Sequence, residues 1–209
     1  MRKADLERAL EAVPKRPDPS PDLEQYRTPA GIAADLLWAA HAEGAIADKR
    51  VLDLGSGTGT FAIGAALLGA RLATGVELDP ESLRLAHAAA DSAFVAQRTW
   101  FVAANLANWH AEAGAFDTVV MNPPFGAQAG NRHGDRLFLE RAVEAVKPAG
   151  TVWFLALERT ERFLASWARD AGGRLERVAA WDYPLEATMP FHSKDVQAVR
   201  VGGYRLAWA

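Results

Sequence analysis

The chain has 209 residues, half of them hydrophobic, enough for one globular domain with a substantial core and too apolar for a disordered segment. It contains no cysteine, which excludes disulfides, thiolate nucleophiles and Cys-based zinc sites, and no metal site is expected. A formal net charge of −3 argues against holding a polynucleotide by overall charge; it calls for clustered basic residues, a partner, or a substrate that is not nucleic acid.

Leu6, Ala9, Leu10 and Val13 recur at helical spacing and predict a short amphipathic helix. Pro14, Pro17, Pro19 and Pro21 end it and form a stiff linker, so residues 1–22 read as a helix with a Pro-rich linker and 23–209 as the main domain. The opening residues lack an apolar signal core, and the apolar run from Phe61 to Ala70 is about half the length of a membrane-spanning helix, so a cytoplasmic location is expected. A helix from Pro29 to His41 follows, with Thr28 as its N-cap and Pro29 in its first turn.

From there strands and helices alternate. Strands are expected at 50–54, 72–77, 99–103, 116–121 and 151–157, with helices at 61–68, 80–97, 135–146 and 159–170 between and after them. Two last strands, 175–181 and 196–208, have no helix between them and suggest a closing antiparallel hairpin. Alternation of this kind predicts a parallel sheet covered by helices on both faces.

Two motifs carry chemistry. The first is Asp53-Leu54-Gly55-Ser56-Gly57-Thr58-Gly59 at the end of the first strand, with Glu77 closing the second about twenty residues on. The glycines allow a sharp turn and close approach to a ligand, and a carboxylate in the position of Glu77 can accept hydrogen bonds from ribose hydroxyls. A dinucleotide loop spaces its glycines G-x-G-x-x-G; G-x-G-x-G after an Asp resembles the loop that holds S-adenosylmethionine. In that reading Asp53 helps orient the methionine end. A nicotinamide cofactor and a ligand-free strand–helix turn are the alternatives.

The second is Asn122-Pro123-Pro124-Phe125 at the end of the fourth strand. The amino group of an aromatic base is a poor nucleophile because its lone pair is delocalised. Two acceptors on its two hydrogens, the Asn122 side-chain oxygen and the Pro123 carbonyl, draw the nitrogen toward tetrahedral geometry. Catalysis is then mostly alignment and electrostatics, without a strong general base. Phe125 can stack on the base, worth about 1–3 kcal/mol in single-strand recognition, and the target must be unpaired or flipped out. The alternative is a Pro-rich turn with a core Phe. Downstream, Gly126 to Gly134 with Arg132 and His133 is either a substrate lid or a solvated loop.

With these motifs in this order, the chain resembles the class I S-adenosyl-L-methionine-dependent methyltransferases, and within them the small-subunit ribosomal RNA adenine-N6 methyltransferases, the methyltransferase-like protein five family and its archaeal relatives. Three stretches carry the resemblance: Leu23-Glu24-Gln25-Tyr26-Arg27-Thr28-Pro29, Asn122-Pro123-Pro124-Phe125-Gly126, and Pro190-Phe191-His192-Ser193-Lys194. It implies a Rossmann-like fold with a seven-stranded, mostly parallel sheet, helices on both faces and a C-terminal antiparallel hairpin. It places Gln25 and Thr28 over the cofactor, Gly55, Thr58 and Thr60 in the loop contacts, and Glu77 on the ribose. Asn105 and Leu106 fall where the family has an Asp-Val pair at the adenine; an ordinary turn is the other reading of Asn105. Phe191, His192 and Lys194 match a substrate-side element, where Lys194 and protonated His192 can meet phosphate; a surface turn is the alternative.

The resemblance further implies a small zinc-binding activator protein that adds a strand to the sheet edge, where the apolar third strand is expected to lie. Methylation of a protein glutamine is the competing activity, since a side-chain amide also presents a flat NH2 and related enzymes use Asn-Pro-Pro-Tyr. A non-catalytic cofactor-fold scaffold that binds RNA or a partner is the competing class.

Overall fold

The computed structural model describes residues 1–17, 27–125, 134–185 and 197–208. In chain order the helices and strands are α1 (Lys3–Glu11), α2 (Ala30–Ala42), β1 (Arg50–Leu54), α3 (Thr60–Leu67), β2 (Leu72–Glu77), α4 (Pro80–Ser92), β3 (Thr99–Ala103), β4 (Phe116–Met121), α5 (Gly134–Ala145), β5 (Val146–Leu157), α6 (Glu161–Asp170), β6 (Gly173–Leu185) and β7 (Gln197–Trp208).

They build one seven-stranded sheet in the order β3-β2-β1-β4-β5-β7-β6. The first five strands are parallel, and β7 runs antiparallel to both β5 and β6, closing the sheet with the expected hairpin. Successive residues of a strand face opposite sides, and both sides are apolar. On one side Val51, Val120 and Trp153 pack under α1 to α4 with Leu10, Leu37 and Ile63. On the other, Leu52, Val119, Met121 and Phe154 pack under α5 and α6 with Leu139 and Leu164. This is the Rossmann-like class I architecture expected. No helix among the described residues is long and apolar enough to cross a membrane.

The opening helix is part of this body. Leu6 and Leu10 are fully buried, and a side chain at Gly64 of α3 would collide with Leu37 and press on Leu10, so α1, α2 and α3 meet where only glycine fits. The Arg27 guanidinium donates to the Leu10 and Glu11 carbonyls at 2.6 and 3.1 Å, satisfying the open C-terminal end of α1. Arg16 reaches Asp79 at 2.7 Å, and Asp79 in turn caps α4 through the Ser82 N–H at 3.0 Å.

Several boundaries differ from expectation, among them β6, which runs Gly173–Leu185 rather than 175–181. Helix α4 stops at Ser92 instead of running to 97, because Phe94 takes a left-handed conformation (φ 57°) and Val95 N–H turns back to the Ala90 carbonyl at 2.9 Å. The buried Val95 side chain anchors that turn without the glycine that usually marks one. Strand β5 begins at Val146 rather than 151, beside a bulge in its pairing with β4. Thr28 is not the N-cap of α2: Pro29 holds that position without a side-chain cap, and the Thr28 hydroxyl is engaged elsewhere.

Candidate active site

The C-terminal ends of β1, β2 and β4 lie side by side in the middle of the sheet, the place where open α/β sheets bind ligands. The glycine loop leaves β1 there. Gly55, Gly57 and Gly59 all have positive φ, at 68°, 52° and 90°, and Gly59 caps α3. A side chain at Gly55 would strike the Phe138 ring at 2.8 Å, whereas at Gly57 it would meet nothing within 4 Å, so the loop is packed below and open above. Thr58 and Thr60 are buried in its walls.

Glu77 clamps this loop. One carboxylate oxygen accepts the Gly57 N–H at 2.8 Å; the other accepts Leu78 and Asp79 N–H at 2.8 and 2.9 Å. The oxygen that accepts Gly57 keeps a lone pair for a further donor, while the other is filled by its two N–H groups. Below, Asp53 is fully buried and accepts the Ala62 N–H at 2.9 Å through Oδ2. Burial first, and the charge of Glu77 second, push its carboxyl up to about 8 against the pull of the Ala62 bond, so at neutral pH it is mostly protonated. Asp53 Oδ1 and Ser56 Oγ are buried without protein partners.

After β3, Asn105 is exposed and its Oδ1 accepts the Ala107 N–H at 2.9 Å, an Asx turn. The oxygen expected to meet an adenine amino group is thus already engaged in the turn. Leu106 is buried with Leu54 and Val76, and Arg141 of α5 holds this turn by the Leu106 carbonyl at 2.9 Å. Arg141 has no sequence signature; its role depends on α5 docking.

At the end of β4, Asn122 Nδ2 donates to Thr28 Oγ1 at 3.0 Å and lies 3.4 Å from the Tyr183 hydroxyl. Its Oδ1 is buried and accepts nothing. Pro123 is buried and Pro124 half-buried. The Phe125 ring meets Tyr183 edge-on, with centroids 5.6 Å apart and planes at 87°. Tyr183 is fully buried and its hydroxyl donates to the Arg27 carbonyl at 3.4 Å. Tyr183 went unnoticed in sequence: it comes from β6, three strands from β4 in the sheet. A bulge at 177–179 bends β6, Trp181 beyond it donates to Asp35 of α2 at 3.0 Å, and Tyr183 then reaches the segment ahead of α2. Gln25, Phe191, His192, Lys194 and the loop with Arg132 and His133 lie outside the described residues.

The fold therefore joins a glycine loop clamped by a carboxylate to a buried amide with an open acceptor. The family model of the methyltransferase small domain matches residues 32–200. A Danio rerio protein named rRNA N(6)-adenosine-methyltransferase METTL5 is 32% identical, covering 99% of each chain. An uncharacterised protein of Methanocaldococcus jannaschii is also 32% identical, over 99% of this chain and 94% of its own. A crystal structure from Pyrococcus horikoshii, provisionally named an RNA methyltransferase, superposes with a TM-score of 0.86 at 32% identity, over 100% of this chain and 98% of that one.

Proposed function

Because this chain belongs to the methyltransferase small domain family and is a methyltransferase, we propose that it methylates N6 of an adenine in small-subunit ribosomal RNA, with S-adenosyl-L-methionine as donor. The observation that carries the reading is the Asn122 amide: its nitrogen is held from behind by Thr28 and Tyr183, and its oxygen is buried with no partner. A buried acceptor without a donor is costly, and an amino group entering the site would satisfy it. The named relative acts on rRNA adenosine. A cytoplasmic location is compatible with a ribosomal substrate.

The glycine loop fits the cofactor, since the space above Gly57 is open to a ligand that must approach backbone closely. Gly55, Gly57, Thr58, Gly59 and Thr60 would line it, Glu77 would accept from the ribose through the one lone pair left on the oxygen that holds Gly57, and Asp53 would support the loop from beneath. Gln25, Thr28 and Leu106 complete the set, and Asn105 would join it through the second lone pair of its Oδ1. When bound, S-adenosyl-L-methionine supplies an electrophilic methyl group. Asn122 Oδ1 and the Pro123 carbonyl accept the two N–H bonds of the target, and the nitrogen lone pair localises toward the methyl. The methylated nitrogen is acidic and one hydrogen leaves as a proton to water, so no general base is required. Phe125, braced edge-on by Tyr183, offers a face to the base. Phe191, His192 and Lys194 belong to the substrate side of this reading.

The sheet edge supports the proposed partner. β3 is an outer strand, α1 packs on α2 and α3 rather than over it, and Phe94 ahead of it and Trp100 within it are 85% and 65% exposed. Large exposed aromatics next to an edge strand suit strand addition by the small zinc-binding activator. Trp100→Glu should abolish co-purification with that protein while leaving the isolated chain folded; retained binding removes this edge as the interface.

The test of function is transfer of labelled methyl from S-adenosyl-L-methionine, offering unmodified small-subunit rRNA and a protein release factor separately, each with and without the activator. Label recovered as N6-methyladenosine is expected. Label only in protein would move the assignment to glutamine and make Phe125 a packing residue; no label in either arm, with no cofactor binding, would leave a scaffold.

A further inference from the structure

An amide side chain fits its site two ways round, and only one presents oxygen to a substrate amino group. In this protein the choice is made by groups that stand behind Asn122. The Arg27 carbonyl can only accept, so it takes the hydrogen of the Tyr183 hydroxyl at 3.4 Å. With that hydrogen committed, the Tyr183 oxygen faces Asn122 as an acceptor and calls for an N–H. Thr28 Oγ1 accepts the other hydrogen of the same nitrogen at 3.0 Å, the shorter and firmer of the two contacts. Turning the amide over would set its oxygen against Tyr183 and either strand the Arg27 carbonyl or place two acceptors face to face. The Arg27 carbonyl is in turn held in place because its guanidinium is tied to the Leu10 and Glu11 carbonyls at the end of α1.

Resting on the proposed adenine methylation, we infer that Tyr183 and Thr28 are positioning residues that fix the Asn122 amide with Oδ1 toward the reacting amino group. Neither touches the target base through its hydroxyl; both act through Asn122. Tyr183 has a second duty, since its ring packs perpendicular to Phe125, and the two duties separate by substitution: Tyr183→Phe keeps the ring and removes the hydroxyl. Thr28→Val keeps the shape and removes the acceptor, and Thr28→Ser restores it.

The experiment is single-turnover methyl transfer to small-subunit rRNA by the full chain with its activator, at saturating cofactor and RNA. Cofactor affinity by calorimetry and melting temperature are measured on the same samples. Tyr183→Phe is expected to slow transfer about tenfold and Thr28→Val about thirtyfold, the size of losing one or two hydrogen bonds to a reacting amide. RNA half-saturation should stay within about twofold in both, because Phe125 keeps its support. Thr28→Ser should recover most of what Thr28→Val loses, and the double variant should approach Asn122→Ala. Transfer at the wild-type rate in both single variants, with Asn122→Ala inactive, overturns the inference and leaves the function intact. Loss of rate only in proportion to lost cofactor affinity or melting temperature also overturns it, by making the pair scaffold. Wild-type turnover in Asn122→Ala overturns the underlying reading instead.

Discussion

The candidate site has two poles, one proposed to hold the cofactor and one the substrate, and they are built on different scales. The cofactor pole, Asp53 to Glu77, is local. One parallel strand pair brings Asp53 opposite Gly75, and Glu77 closes the loop onto backbone N–H groups of Gly57, Leu78 and Asp79. The substrate pole is assembled from three distant segments: Thr28 before α2, Asn122 after β4, and Tyr183 on β6. In the first pole the backbone supplies nearly every partner; in the second, side chains hold side chains. A loop clamped by its own backbone needs little of the rest of the fold. An amide held by two hydroxyls needs α1, α2 and the C-terminal hairpin all in register.

Three substitutions break that comparison at different points. Asn122→Ala removes the acceptor on which the substrate pole converges. Transfer should fall by about 10²–10³, as for loss of one preorganised group at a reacting centre, with cofactor affinity unchanged in calorimetry. A matching loss of cofactor binding would mean that the poles are not separable. Glu77→Ala attacks the other pole and should weaken cofactor binding by about 1–3 kcal/mol, both from the ribose bonds and from freeing the Gly57 N–H. Unchanged calorimetry removes Glu77 from the site.

The third substitution concerns Asp53 and is read as a pH profile. Its folded carboxyl titrates near 8, above the ordinary aspartate value of 3.8, so the folded state binds a proton that the unfolded state has released. The stability from this group is complete below pH ~4 and is lost as pH rises through about 8. The melting temperature of the wild-type chain should therefore decline between pH 5 and 9 by this contribution, and Asp53→Asn should flatten that part of the profile. Parallel profiles for the two proteins would show that Asp53 does not titrate in this window.

What could be read in advance follows the same division. β1, β2, β3 and β4 lie where the apolar runs and flanking glycines put them, because a buried strand in a parallel sheet writes its length directly as hydrophobic residues. The glycine loop was legible because positive φ leaves few choices of residue. The early end of α4 was not, since Phe94 takes a conformation usually left to glycine and is held there by a buried neighbour, Val95. Thr28 looked like a cap because Thr before Pro commonly is one; its hydroxyl instead answers a demand made 94 residues away.

By itself, the sequence determined a doubly covered, mostly parallel sheet, a glycine loop with its acidic partner, and the place of the Asn-Pro-Pro-Phe turn at a strand end. These depend on periodicity, backbone conformation and residue chemistry within short stretches. Only the tertiary structure decided which atoms of Asn122 are occupied and which is open, that Tyr183 stands behind both Asn122 and Phe125, and that α1 steadies the segment carrying Thr28. The contacts of Tyr183 and Asn122 join residues 58 to 156 positions apart, set by how a bent edge strand packs against the opening helices, and no local pattern encodes them.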